Sequence, residues 1–390
     1  MSHSDPDEPL PPLPDSPEGR RRPRKLVLIG AEEVHLHLLK GLRTQPLRGV
    51  DVTLIAPFSQ AAWPELLPPV LAGRVPARNA QVDLAEVAKE AGIELIIDQV
   101  VGCDLETHTL ELAVHDERTF DAVSININPA NLRENLCQTH RTLVGLQPRA
   151  TFRARLESRL AELIQQHRAA PGPDPLQFAV VGSSPAAVEF ALCLAERIRR
   201  EQWRADIRLI DASSELLPGW SAGAIRQVHH LCRQLGITVQ LGSPVVDCDE
   251  DGPCELLLET GERLRVDLVI WATGTAPPNL LRNYPLPRST EGWLDVEQTL
   301  RTKADLPFFA AGEIMGAEQG AITGDAAAQA KLLGDNLRRW FRREPLLPLQ
   351  PIATGPKLLT CGDGTAILDH HGWSFRSLLF WRWKLRRILR

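Results

Sequence analysis

The chain of 390 residues contains no apolar run approaching the roughly 18–20 residues that a membrane-spanning helix needs. It lacks an excess of positive charge: 44 basic against 49 acidic residues give a net charge of -5, so nothing recommends nucleic acid as a partner. Its seven cysteines are scattered, with no C-x-x-C pair and no zinc-type spacing, so they define neither a metal centre nor a disulfide framework. The start of the chain is acidic and rich in proline, unlike a secretory leader, and reduced thiols in a cytoplasmic compartment are expected. His35 and His37 stand two apart on an expected helix and so do not share a face, while His229-His230 and His370-His371 are adjacent pairs. No metal site is expected. What remains is ordinary for a globular chain, 43% hydrophobic and 24% charged, and long enough for two or three domains.

Residues 1–24 are rich in Pro, Asp, Glu and Ser and end in an arginine cluster; they are expected to be a disordered tail. Order begins at residues 25–42, KLVLIGAEEVHLHLLKGL. Leu26–Ile29 is a continuous apolar run, the pattern of a parallel strand buried on both faces. At Gly30 the periodicity becomes helical, and a second strand follows over 52–56. Strand, glycine turn, helix and strand form the opening unit of a dinucleotide-binding fold. The motif G-x-G-x-x-G is incomplete here: Gly30, Ala31, Glu32, Glu33, Val34, His35. Glu32 occupies the second glycine position, where backbone normally approaches a pyrophosphate at the positive end of the helix.

Further along, 82–91 reads as a helix and 94–100 as a strand. Residues 110–114 and 120–127 read as paired strands around a polar turn, and 150–167 as a helix. After a proline-glycine linker at 169–175 the opening theme repeats. An apolar strand over 177–181 leads to Gly182-Ser183-Ser184-Pro185-Ala186-Ala187, a helix, and a strand over 206–210 that ends in Asp211. Asp211 stands where an acidic residue accepts a nucleotide ribose, or is simply a surface aspartate at a strand end. Residues 254–259 and 263–270 read as a hairpin, running into Ala272-Thr273-Gly274. A last strand, 308–311, ends in Gly312-Glu313, and 326–341 reads as a long helix.

This order of parts resembles the pyridine nucleotide–disulfide oxidoreductase superfamily, the flavoproteins with two dinucleotide-binding domains. The likeness rests on 26–39, 178–191, 267–278 and 306–313. The C-terminal LLTCGD (358–363) and Trp381-Arg382-Trp383-Lys384 resemble the branch of type II NADH:quinone dehydrogenases and the flavoprotein module fused to selenide water dikinase. The resemblance implies an α/β fold of two Rossmann-like domains, the second inserted in the first. An FAD-binding-like domain would comprise 25–149 and 271–340, an NAD(P)-binding-like domain 150–270, and a short C-terminal region 341–390.

It also implies FAD along Gly30, Ala31, Glu32, Gly312 and Glu313, with Ala272, Thr273 and Gly274 at the crossover. NAD(P)H would lie on Gly182, Ser183, Ser184 and Asp211, and Glu189 near the nicotinamide. Hydride would pass to the flavin and on to a quinone-like acceptor. Four departures fall on the FAD side: Glu32 for glycine, Glu313 for aspartate, no acid after the second strand at Ala56, and no Pro-Lys segment between 316 and 329. A catalytically silent protein that keeps the fold for binding or assembly is the competing expectation. No cysteine pair lies on the first helix. Cys137 and Cys361, far apart in sequence, are the remaining dithiol candidates beside the reading of all seven as inert packed thiols. Residues 375–390, FRSLLFWRWKLRRILR, read as a basic amphipathic helix, which would carry Leu378, Trp381, Leu385, Ile388 and Leu389 as one stripe. Such a helix is read either as a membrane-surface anchor, or as packing on the body or on a second copy of the chain.

Overall fold

A computed structural model describes residues 22–131, 142–170, 172–249, 254–303, 306–316, 325–349 and 355–389. The principal elements in chain order begin with β1 (Arg24–Ile29), α1 (Glu33–Thr44), β2 (Val50–Ala56), β3 (Glu94–Ile97), β4 (Ala122–Ile125), β5 (Leu143–Gly145) and α2 (Arg149–Ala169). Then come β6 (Leu176–Val181), α3 (Pro185–Glu201), β7 (Ala205–Ile210), α4 (Ala222–Gln234), β8 (Ile237–Gln240), β9 (Val245–Asp249), β10 (Glu255–Leu258), β11 (Arg263–Arg265) and β12 (Leu268–Trp271). The chain finishes with β13 (Phe308–Ala310), α5 (Ala326–Arg342), β14 (Lys357–Thr360), β15 (Ala366–His370), β16 (Trp373–Ser377) and α6 (Leu378–Leu389).

Two compact units result, each assembled from separated stretches: 1–59, 84–127 and 279–352 in the first, and 60–83, 128–278 and 353–390 in the second. The first is built on a five-stranded parallel sheet in the order β13-β4-β1-β2-β3. β1 is central, and its last four residues are buried, which is why its sequence runs apolar without alternation. α1 lays Val34, Leu38, Leu39 and Leu42 into the core and packs on α5, where Gly334 lets Leu38 approach; a Cβ there would stand 3.1 Å from Leu38 Cδ1. The second unit repeats the plan with the parallel order β5-β12-β6-β7-β8. Two three-stranded antiparallel sheets, β9-β10-β11 and β14-β15-β16, and two short antiparallel pairs, Gln60–Ala62 with Gln81–Asp83 and Ala130–Asn131 with Thr275–Ala276, accompany it among the described residues.

Three sequence expectations change. Residues 110–114 and 120–127 do not pair with one another. Thr109–Leu112 joins an antiparallel sheet with Val100–Asp104 and Arg118–Thr119, while β4 leaves for the parallel sheet. The same happens at 254–270, where β10 and β11 form the hairpin and β12 enters the parallel sheet beside β6. Both runs are apolar and end in a buried strand, so adjacency in sequence suggested a hairpin where the chain makes a crossover. The terminal helix starts at Leu378, since Trp373–Ser377 is the strand β16. Aromatic and polar residues alternate there in a β pattern that merges with the helical stripe.

Candidate functional site

In the first unit the turn after β1 is fixed by its own side chains. Gly30 has φ +86, and a Cβ there would lie 2.3 Å from the Asn126 carbonyl, so only glycine fits. His35, wholly buried on α1, places Nδ1 2.6 Å from the Gly30 carbonyl and Nε2 2.9 Å from Ser124 Oγ. A carbonyl only accepts, so Nδ1 carries the proton and Nε2 accepts from the Ser124 hydroxyl. Burial lowers the His35 pKa to about 4, against a smaller raising effect of the Gly30 bond. Asn126 ties three segments together: its Oδ1 accepts from His35 N, and its Nδ2 donates to the Ala311 carbonyl.

Gly312, at φ +80, crowds the same amide, and its N–H donates to Gln329 Oε1 at 2.7 Å. Ala31 is buried beside the turn. Glu32 is the N-cap of α1 in extended backbone, φ -81, a conformation open to any residue. Glu33 adds a second carboxylate in the first helical turn. Glu313 is exposed in the single turn after β13.

In the second unit the strands β6, β7 and β12 end side by side, and their next residues form one rim. Gly182 follows β6 with φ +141, and a Cβ on it would stand 2.5 Å from the Ala272 carbonyl. Ser184 takes the second glycine position because it serves as N-cap of α3, accepting from Ala187 N at 3.3 Å, with Pro185 at the first helical position. Asp211 follows β7, and its Oδ1 accepts from Ser183 Oγ at 2.9 Å and from Ser213 N at 2.7 Å. Thr273 follows Ala272 beyond β12, and its Oγ1 is buried with no hydrogen-bond partner among the described residues. Gly274 is exposed next to it.

Glu189 lies on α3, buried, and is bound by the C-terminal segment. Its Oε1 accepts from Thr360 N at 2.5 Å and from Lys384 Nζ at 2.6 Å, and Lys384 also donates to Thr360 Oγ1 at 3.0 Å. Burial would depress the lysine, but the charges of Glu189 and Glu65 outweigh it and hold Lys384 above its ordinary value. Cys193, one turn along α3, is pushed well up by burial and by the Glu189 charge, and Cys361 is pushed up to about 12 by burial. Both remain thiols at neutral pH, so Cys361 is a poor nucleophile. Cys137 lies outside the described residues.

Residues 24–330 match the pyridine nucleotide-disulphide oxidoreductases. The chain belongs to that family. The family uses FAD and NAD(P)H, and the two parallel sheets are the Rossmann-like folds that carry them. Among relatives, the chain is 26% identical over 202 residues to a demethylphylloquinone reductase of Synechocystis sp., covering 50% of this chain and 49% of that one. It is 23% identical over 348 residues to the type II NADH:quinone oxidoreductase of Mycobacterium tuberculosis, covering 81% and 74%. It spans about half the length of the first of these, and 58% of a 23% identical external alternative NAD(P)H-ubiquinone oxidoreductase of Arabidopsis thaliana. Solved structures share the fold at 14% identity. NDH2 from Plasmodium falciparum, in complex with NADH, gives a TM-score of 0.76 with 95% of each chain covered. The sulfide:quinone oxidoreductase from Aquifex aeolicus gives 0.74, with 94% and 90% covered.

The structure gathers the expected residues in two groups, each within its own unit. Gly30, Ala31, Glu32, Gly312 and Glu313 belong to the first unit; Gly182, Ser183, Ser184, Asp211 and Ala272–Gly274 to the second. Ala272 stands against Gly182. Sequence reading missed Asn126, Gln329 and Thr360, which bear no motif of their own, and Lys384, which reads as a flank of the terminal stripe. The acidic Glu189 between Val188 and Phe190 was the available hint that a cation must meet it.

That stripe is itself corrected. Trp381 and Ile388 are buried and Leu385 is half-buried; Trp381 packs with Val75 and Ala366 of its own unit. The apolar residues exposed in this region include one member of the stripe, Leu378 (48%), together with Trp373 (71%), Leu379 (68%), Phe375 (55%) and Trp383 (42%). The rings of Trp373 and Phe375 stack with centroids 6.2 Å apart, and Arg382, Arg386 and Arg387 are exposed on α6.

Proposed function

We infer that the chain is an FAD-dependent NAD(P)H oxidoreductase passing electrons to a quinone-like acceptor, working at a membrane surface. The observation that carries this is the convergence of Gly182, Asp211 and Thr273 at the carboxyl ends of three adjacent parallel strands, where ligands of open α/β sheets bind. Thr273 Oγ1, a buried hydroxyl with no partner among the described residues, lies on that rim, where a polar ligand would satisfy it. The residues fit a pyridine nucleotide: the Gly182–Ser184 turn and the start of α3 would hold its pyrophosphate. Asp211, with Oδ1 occupied by Ser183 and Ser213, offers Oδ2 to a ribose hydroxyl. In the first unit Gly30–Glu32 and Gly312–Glu313 would hold FAD. When bound, nicotinamide and flavin supply hydride transfer and onward reduction of the acceptor.

The chain's own contribution is positional. Glu189 and Lys384 form a desolvated pair that fixes the C-terminal segment on α3, and Lys384 holds its proton through the neutral range. The relatives named for quinones, together with the exposed apolar and basic surface of β16 and α6, support an acceptor that resides in lipid.

The test is the visible spectrum of the purified chain, with absorbance near about 450 nm expected from flavin, followed by NADH oxidation with a soluble quinone. A second reading, a silent scaffold, is favoured by one observation, the two carboxylates of Glu32 and Glu33 at the start of α1. A colourless protein that takes up no added FAD and oxidises no NADH would establish it against the first.

A further inference from the structure

The β9-β10-β11 sheet holds two thiols that no step above uses. Cys248, on β9, and Cys254, the residue before β10, place their sulfurs 3.2 Å apart, and both are buried, 4% and 2% exposed. The register explains the meeting. Cys248 pairs with Leu256, so Cys254, two residues earlier on the partner strand, is its diagonal neighbour on the same face. That face is part of one apolar cluster with Val181, Ile210 and Trp271. These three are the last residues of β6, β7 and β12, and the next residues are Gly182, Asp211 and Ala272, the nucleotide rim.

We propose that Cys248 and Cys254 are a peroxide-sensitive dithiol, and that their disulfide alters NADH binding by pulling on the layer beneath that rim. Both sulfurs are as buried as Cys361, so the step begins in a local opening of the β9-β10-β11 sheet that admits peroxide and water to one of them. The thiolate formed there attacks a peroxide oxygen; the O–O bond breaks, one water leaves after protonation, and a sulfenic acid forms. The second thiol attacks that sulfur; the S–O bond breaks, a second water leaves, and the S–S bond forms. The two cysteines lose two electrons and two protons, and the peroxide gains them. Closure brings the sulfurs from 3.2 Å to about 2.05 Å, drawing β9 and the start of β10 together. The cluster is closely packed and transmits that movement to the three strand ends. A thiol reductant reverses the reaction.

Only the coupling to NADH rests on the function inferred above; the disulfide does not, and the experiment separates them. Both cysteines lie in the tryptic fragment 234–263, which contains no other cysteine. The full chain is treated with hydrogen peroxide in its native state, unfolded in an alkylating agent and digested. The expected fragment is lighter than its reduced form by two hydrogens and carries neither alkyl group, while dithiothreitol before alkylation restores both. Cys248→Ser and Cys254→Ser, treated alike, give no such loss. A native fragment that stays doubly alkylated, or gains oxygen without losing the two hydrogens, overturns the proposal, as does a crosslink that forms only after unfolding. NADH titration by nicotinamide fluorescence, before and after peroxide, is expected to shift in the parent and not in the serine variants. A crosslink with an unmoved titration overturns the coupling.

Discussion

At the scale of single residues, the site depends on groups that hold others in place. His35 is neutral and doubly bonded in the folded chain, with its pKa lowered from 6.5 to about 4. Protonation therefore favours the unfolded state. The stability it contributes is complete above about pH 6.5 and is lost as pH falls through that value toward 4. At about 1.4 kcal/mol per unit, the loss approaches roughly 3 kcal/mol. Urea unfolding at pH 7 and pH 4.5 should show a drop in the parent larger than in His35→Gln by about 2–3 kcal/mol; equal drops would remove the histidine from the account. Lys384 has the opposite sign. Its raised pKa means that its contribution is present below the ordinary lysine value of 10.5 and is lost only as pH climbs through the elevated one. Lys384→Met leaves Glu189 buried without its cation and should cost about 3–5 kcal/mol in denaturant unfolding, part of which Glu189→Gln in the same chain recovers. A single variant as stable as the parent would show that the pair carries no net stability.

At the scale of elements, sequence and structure agree wherever burial alone sets the pattern. β1 and β6 are central strands buried on both faces, and their apolar runs identified them. β4 and β12 were assigned to strands but not to their partners, because pairing in a parallel sheet is decided by chain crossovers that leave no local mark. The site divides in the same way. The glycine turns were legible because positive φ beside a crowding carbonyl admits little else, whereas the Asn126 ties depend on contacts with segments distant in sequence.

The start of α1 is where the motif is damaged, and its backbone narrows the cause. Residue 32 has φ -81, so glycine is not required for conformation there, and any effect of Glu32 lies in its side chain. A carboxylate about 4 Å from a phosphate costs up to roughly 4 kcal/mol at an effective dielectric near 20, about a thousandfold in affinity, before screening and a swing of the side chain reduce it. Glu32→Gly should therefore tighten FAD binding in a fluorescence titration, and Glu33→Gly should change it little. Equal, tight binding by the parent and Glu32→Gly would show a site adapted to the carboxylate.

At the scale of the whole molecule, each unit completes its sheet with distant stretches of chain, and the terminal 353–390 belongs to the second. That membership decides what the terminal helix can do. Of its predicted stripe, Trp381 and Leu385 are spent on the cluster with Val75 and Ala366 and Ile388 is buried, while Lys384 is spent on Glu189, so none of these is available to a membrane. The surface left outward is Trp373, Phe375, Leu378, Leu379 and Trp383, with Arg382 and Arg386 beside them. Apolar side chains that enter the headgroup boundary, with arginines meeting anionic lipid, give binding that grows with negative surface charge and weakens with salt. Each arginine near such a surface contributes about 1 kcal/mol, so Arg382→Gln with Arg386→Gln should weaken binding about thirtyfold. In cosedimentation with vesicles containing phosphatidylserine, the parent should pellet at low salt and be released as salt rises. The arginine pair variant should require more vesicles. Phe375→Ser with Leu379→Ser should stay in the supernatant, although its buried stripe is untouched. If that variant pellets like the parent while Ile388→Ser loses binding and keeps its fold by circular dichroism, the membrane face is the stripe after all, and the second unit must release α6 to present it.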